Sequence, residues 1–227
     1  MRIKRLFREG VDNATTGPYA PGAWGESFAT GPKLFIGSIF ESEELPRQEV
    51  KTIRELSLEH GIKLVLVGAH GSNVYSGKAR ATADYDFICD KPEGLVALVK
   101  KYMPHLEIKD KGVVYRLYKD GKQIIDIIKP YSKINLAALS QSHEFDGFMV
   151  PSVEVMVALK YTSMMSPNRD MADRMQDLVD FARIVKNNLG LDKSEVSRLA
   201  ETSWPSGGVE VLALMGQVAK NQPIHLP

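Results

Sequence analysis

A single cysteine, Cys89, in 227 residues leaves no intrachain disulfide to be made and points to a reducing, cytoplasmic setting. No apolar run approaches the roughly 20 residues that a membrane-spanning helix needs, and no secretory-type hydrophobic segment stands near the start, so no membrane partner is expected. Strong charge of one sign is also missing. The 29 Lys and Arg balance 28 Asp and Glu to a net +1, which excludes coating of nucleic acid by bulk charge while leaving room for a local basic groove. The basic residues of Met1 to Arg8 read as a solvated terminus, and there is no internal repeat or low-complexity tract. What is present is a 44% hydrophobic chain, enough for a core in one large domain or two small ones.

The acidic residues carry the chemistry. Asp84-Tyr85-Asp86-Phe87 and Ile124-Ile125-Asp126-Ile127-Ile128 set carboxylates inside apolar, strand-like runs. Burying such a charge costs several kcal/mol unless something pairs with it. A strand projects residues i and i+2 from one face about 6 to 7 Å apart, so Asp84 and Asp86 can grip one ion or two adjacent ions. If the strand bearing Asp126 lies beside theirs, the three make an oxygen-only site suited to Mg²⁺ or Mn²⁺. Asp-x-Asp alone is common, and Asp126 could instead be a structural carboxylate paired with Arg116 on the facing hairpin strand.

Upstream, the apolar run of residues 62–67 stops at Gly68-Ala69-His70-Gly71-Ser72. A strand, a glycine-rich turn and a helix form an arrangement that cradles phosphate, because glycine lets the backbone approach an anion and the helix start turns N–H groups toward it. Gly68-Ala69 and Gly71-Ser72 compete for this role; Gly71-Ser72 is favoured because it adds a hydroxyl. Thr82 reads as a structural residue whose hydroxyl bonds nearby backbone before Asp84.

Residues 1–45, rich in Gly, Pro, Ser and Thr, read as extended structure packed on the body. A helix over 46–60 ends at Gly61. Strands at 62–67 and 84–89 flank the glycine turn and a short helix, and a helix follows over about 93–103. A hairpin over 113–128 turns at Asp120-Gly121. Residues 46–130 thus form an α/β domain with a mixed sheet flanked by helices. Beyond about residue 130 the pattern reads as helical, giving a C-terminal helical subdomain over 131–227. There Ser152 is an N-cap, and Asp192 with Glu195 resembles a capping box. Met171, Met175, Leu178, Ala182 and Val185 form an apolar stripe whose methionines are expected in the core.

Gly71-Ser72, then Asp84-x-Asp86, then a third Asp on a later strand resemble the DNA polymerase β-like nucleotidyltransferase superfamily. The string from Gly77 to Asp86, with Arg80 and Thr82 inside it, is similar to the Gly-x-x-Arg-x-Thr-x-Asp-x-Asp pattern of the AbiEii-like branch, the toxin half of type IV toxin–antitoxin systems. Ala158-Leu159-Lys160 and Arg174-Met175-Gln176-Asp177-Leu178 also resemble that branch. The likeness spans roughly residues 62–187. The pattern's usual apolar residue before the glycine pair is replaced here by His70.

The resemblance implies a polymerase β-like fold and transfer of a nucleoside monophosphate from a nucleoside triphosphate, such as ATP, to an acceptor hydroxyl, with release of pyrophosphate. It implies Asp84, Asp86 and Asp126 as metal ligands and catalytic groups, Gly71, Ser72, Arg80 and Lys160 on the nucleotide, a tRNA or other RNA as acceptor, and an antitoxin as partner. Lys160 reads equally as an ordinary lysine whose stem is buried and whose head reaches solvent. Aminoglycoside-like small molecules or protein hydroxyls are rival acceptors. A non-catalytic nucleotide-binding or partner-binding relative and a metal-dependent phosphohydrolase are rival functions.

Overall fold

The computed structural model describes residues 47–224 and 226. The expected extended segment over residues 1–45 lies outside the described residues.

The chain alternates helices and strands around one mixed sheet. Helix α1 (Gln48–Glu59) leads into β1 (Leu64–Leu66), α2 (Gly68–Ser76), β2 (Tyr85–Cys89) and α3 (Pro92–Tyr102). Strands β3 (Glu107–Asp110), β4 (Val114–Lys119) and β5 (Lys122–Ile128) follow, then α4 (Lys133–Ser140), β6 (Ser142–Phe145) and β7 (Phe148–Pro151). Helices α5 (Val153–Met164), α6 (Met171–Asn187), α7 (Lys193–Glu201) and α8 (Gly207–Ala219) complete the described fold. The seven strands are ordered β3-β4-β5-β2-β1-β7-β6. Strand β2 pairs parallel with β5 and antiparallel with β1, and β1 pairs parallel with β7.

Alternation along the central strands divides the core into two sides. Leu64, Leu66, Phe87 and Cys89 belong to the cluster containing Val50 and Ile53 of α1 and Leu95 and Val99 of α3. Val65, Val67 and Ile88 point the other way and pack with Ile134 and Ala138 of α4 and Val155 and Ala158 of α5. Asp86, two residues before Ile88, shares this second side.

The Asp120-Gly121 hairpin is built as its sequence predicts, with both residues in the left-handed region at φ 50° and 75°, the geometry whose twist matches two antiparallel strands. The strand pair β6–β7 is not foreseen: it extends the sheet beyond residue 130, where the sequence reads as helical only. Its strands are four residues each, too short for an alternation to stand out.

Helix α5 is apolar nearly all round and buried, as expected of a central helix. Its N-cap is Ser152, which accepts from Val155 N. Asp192 caps α7 by accepting from the Ser194 and Glu195 amides, but Glu195 does not close a capping box; its carboxylate binds Arg198 and Gln141. On α6 the core expectation holds for Leu178 and Val185 and fails for Met171 and Met175, which are 56% and 46% exposed, while the buried face of these turns is carried by Arg174 and Asp177.

Candidate active site

The parallel pairing of β2 with β5 sets Asp86 directly opposite Asp126. Side chains in register share a face, and Asp84, two residues before Asp86, is turned the same way. All three line a cleft of about 650 Å³ between the sheet and helices α4, α5 and α6. Three carboxylates from two stretches of sequence are therefore brought together, as their spacing predicts.

Their surroundings are unfavourable to negative charge. Asp86 keeps some contact with solvent, yet its carboxyl is packed among protein atoms. Burial first, then repulsion from Asp84 and Asp126, pushes it up to about 7, with Lys160 and Arg169 opposing. Asp126 is pushed up to about 6, by burial first and also by Asp84, while Arg116 opposes. Arg116 stands opposite Asp126 on β4, with Nε 3.6 Å from Oδ2, and Gln123 Nε2 donates to the other oxygen at 3.0 Å. Thr82 Oγ1 donates to Asp84 Oδ1 at 2.8 Å, so the threonine orders a carboxylate and not the backbone bond expected of it.

The glycine turn lies at Gly68-Ala69. Gly68 has φ +60° and begins α2 directly after β1; a Cβ there would stand 1.9 Å from Asp86 Oδ2. Only glycine permits both the left-handed backbone and this approach of the carboxylate. Gly68 and Ala69 line the cleft, whereas Gly71 and Ser72 do not. The expectation that favoured Gly71-Ser72 for its hydroxyl is corrected on that point. Ser72 Oγ donates to Gly68 O at 2.6 Å inside the helix, and a Cβ on Gly71 would meet Leu66 O at 2.7 Å. That glycine serves helix-to-strand packing. His70 is buried and stacks on Tyr85, with ring centroids 4.0 Å apart.

Lys160 does not carry its head to solvent, the second of its two sequence readings. It lines the cleft, but its Nζ is buried and donates to Asp177 at 3.0 Å and Asp180 at 2.8 Å, both on α6. Arg80 donates to Asp180 through Nε at 3.2 Å, and Arg169 reaches Asp177 Oδ2 at 3.0 Å. Asn73 of α2 holds the loop before β2 in place by accepting from Arg80 N and donating to Arg80 O. Arg169 is the site residue that the sequence reading missed. It sits in the turn between α5 and α6, where a lone arginine carries no periodic signal. Asp180 was likewise unnoticed, although it lies one helical turn beyond Asp177.

A divalent cation is the group these carboxylates would take, and the donor chemistry fits it: hard oxygens only, mutually repelling, one of them deep among protein atoms. Among the described residues, no three His, Cys, Asp or Glu side chains already stand as a closed ligand set. Asp84 and Asp126 are instead turned toward Thr82, Gln123 and Arg116.

No protein-family model matches the chain, and no curated protein does. Solved structures of similar shape include an antigenic nucleotidyltransferase-like protein from Paracoccidioides brasiliensis, 13% identical, TM-score 0.46, covering 77% of this chain and 91% of that one. The Megavirus polyadenylate synthase is 15% identical at TM-score 0.47, covering 61% of this chain and 31% of its own. ANT(2″)-Ia, solved in complex with adenylyl-2″-tobramycin, is 14% identical at TM-score 0.44, covering 76% and 96%. No described helix is long and apolar enough to cross a membrane.

Proposed function

We propose that the protein is a metal-dependent nucleotidyltransferase that moves a nucleoside monophosphate from a nucleoside triphosphate to an acceptor hydroxyl, with an RNA as the preferred acceptor. The carrying observation is the register of Asp86 with Asp126, with Asp84 on the same face and Gly68 in contact with Asp86. The resemblance of residues 77–86 to the AbiEii-like pattern points the same way.

In this reading the acceptor oxygen attacks the α-phosphorus, the bond between the α-phosphorus and its bridging oxygen breaks, and pyrophosphate leaves. Asp84, Asp86 and Asp126 would hold one or two divalent ions, which supply charge neutralisation at the phosphates and a lower pKa for the attacking hydroxyl. Asp126, nearest the acceptor in this reading, would take its proton. The backbone at Gly68-Ala69 approaches the phosphates at the start of α2. Lys160, Arg169 and Arg80, at the helical end of the cleft, face the charge that builds up on the leaving group. A paired antitoxin belongs to the same resemblance, and nothing in the fold bears on it.

The test is incubation with each α-³²P-labelled nucleoside triphosphate, Mg²⁺ or Mn²⁺, and total tRNA or protein extract. Label should pass to RNA and vanish with Asp86→Asn. Label on protein or on a small molecule would reassign the acceptor, and phosphate release without transfer would indicate a hydrolase. A second reading, a nucleotide-binding protein without catalysis, is favoured by one observation: Asp126 is engaged by Arg116 and Gln123, and no closed ligand set is formed among the described residues. It predicts nucleotide binding that survives Asp126→Asn, with no transfer by the wild type.

A further inference from the structure

We infer that the β5–β4–β3 end of the sheet's cleft face is a track for a single-stranded RNA terminus, with phosphates over Arg116 and Lys109 and a base on Tyr118, delivering the terminal hydroxyl to Asp126. The inference rests on the nucleotidyltransferase reading and names the surface that would choose its acceptor.

Register builds the track. Asp86 is opposite Asp126, Asp126 opposite Arg116, and Arg116 opposite Lys109, so four side chains form one transverse row across β2, β5, β4 and β3. Neighbouring strands lie about 4.8 Å apart, which puts Lys109 roughly 10 Å from Asp126. Tyr118 is on the same face, two residues beyond Arg116, and Lys109 Nζ lies 4.6 Å from its ring centroid. The row therefore changes from acid at the cleft floor to base and aromatic at the sheet edge.

These side chains are available to a ligand. The side chains of Arg116 and Lys109 are 42% and 44% exposed; the Nε atom of Arg116 is itself shielded and lies 3.6 Å from Asp126 Oδ2, so a phosphate would meet the rest of the side chain. Glu107 sits 3.1 Å from Lys109, but both groups are exposed, and such a pair yields readily to a polyanion. The nearby Asp110 is held by Lys129 at 2.9 Å.

The chemistry selects among acceptors. Cations interleaved with a partly exposed ring are what single strands use, the phosphates meeting the charges and the bases stacking. A polycationic small molecule would meet Arg116 and Lys109 as like charges. A protein acceptor would want a buried apolar anchor pocket, and this row offers none.

The test measures binding of a fluorescein-labelled single-stranded RNA of about ten nucleotides by anisotropy across a salt series, for the wild type, Lys109→Glu and Tyr118→Ala, with binding of each nucleoside triphosphate with Mg²⁺ followed in parallel by calorimetry. Wild type should bind the RNA. Lys109→Glu should weaken binding and lower the slope of log K against log salt by about 0.7, the share of one phosphate contact. Tyr118→Ala should weaken it roughly fivefold or more with little change in slope. Nucleotide affinity should be the same for all three. RNA bound equally by all three, or RNA not bound by a wild type that does bind a nucleoside triphosphate, overturns the track and leaves the enzyme reading standing. A wild type that binds none of the four nucleoside triphosphates with Mg²⁺ overturns that reading and the track with it.

Discussion

The carboxylate row has two unlike flanks. On the helical side every cation is held: Lys160 by Asp177 and Asp180, Arg80 by Asp180, Arg169 by Asp177, with Lys160 and both aspartates buried. On the sheet side Arg116 stands 3.6 Å from Asp126, and Lys109 meets the exposed Glu107 and the ring of Tyr118. What separates them is the burial of Lys160 with its two aspartates, since Arg169 at 41% exposed is as open as Arg116 at 42%. A pair removed from water is fixed in geometry, since breaking it strands a charge; an exposed pair is worth about 0 to 1 kcal/mol and can change partners. A triphosphate needs fixed positive points, whereas an acceptor that must enter and leave is better served by groups that exchange readily.

The sharpest way to break this contrast is Asp180→Ala. It leaves Lys160 and Arg80 without their shared carboxylate, and removing one partner of a buried pair costs about 3 to 5 kcal/mol. Chemical denaturation should show a loss of this size. The double variant Asp180→Leu with Lys160→Met should recover only part of the stability, because Asp177 keeps Arg169 but loses Lys160 and Arg80 loses its carboxylate, while nucleotide affinity stays low. Equal stability for wild type and Asp180→Ala would show the helical flank to be as loose as the sheet flank.

Gly68 is where the flanks meet. Gly68→Ala forces a left-handed alanine, costing about 1 to 2 kcal/mol, and its methyl group would stand where Asp86 Oδ2 now lies. Thermal denaturation should detect the strain, and nucleotidyl transfer should fall far more than stability does, since Asp86 must move. Transfer that falls only in proportion to stability would detach the glycine turn from the chemistry.

Much of this arrangement is legible in the sequence. The two aspartate-bearing strands, the Asp120-Gly121 turn and the glycine turn after β1 are each encoded within a few residues, by alternation and by left-handed positions. The choice between Gly68 and Gly71 is not, because it depends on which residue faces Asp86 across two strands, a matter of register. Ser72 misleads for the same reason: its hydroxyl advertises a donor, and only the helix shows that Gly68 O already takes it. The network around Lys160 joins residues 80, 160, 169, 177 and 180 through helix packing, where single charged residues leave no periodic trace. Strands β6 and β7 escape notice because each is short.

Titration offers a milder perturbation. In the unfolded chain Asp86 and Asp126 would titrate near the ordinary 3.8, and in the folded protein near 7 and 6. The folded state keeps protons that the unfolded chain releases, so these groups favour folding most below about pH 4 and lose that contribution as pH rises through 6 to 7. His143, whose pKa burial lowers, works in the opposite sense in part of the same window. The difference between wild type and Asp86→Asn isolates the effect. In EDTA the wild type should lose melting temperature relative to Asp86→Asn as pH rises from about 5 to 8, and Mg²⁺ should restore part of the loss in the wild type alone. Parallel profiles with and without Mg²⁺ would mean that the carboxylates neither carry the burden of charge described here nor share it with a cation.

The smallest effect is expected at Arg116, and its smallness is informative. The side chain is 42% exposed, with Nε 3.6 Å from Asp126, beyond hydrogen-bond distance, so Arg116→Gln should cost about 1 kcal/mol of stability or less, against several for Asp180→Ala on the other flank. Charge nonetheless reaches Asp126: Arg116 opposes the upward shift of that carboxyl, and without it the acidic limb of a pH–rate profile should move to higher pH. A stability loss as large as that of Asp180→Ala would make Arg116 a structural strut and erase the difference between the flanks. An unmoved acidic limb would mean that the proton of the acceptor hydroxyl goes to a group other than Asp126.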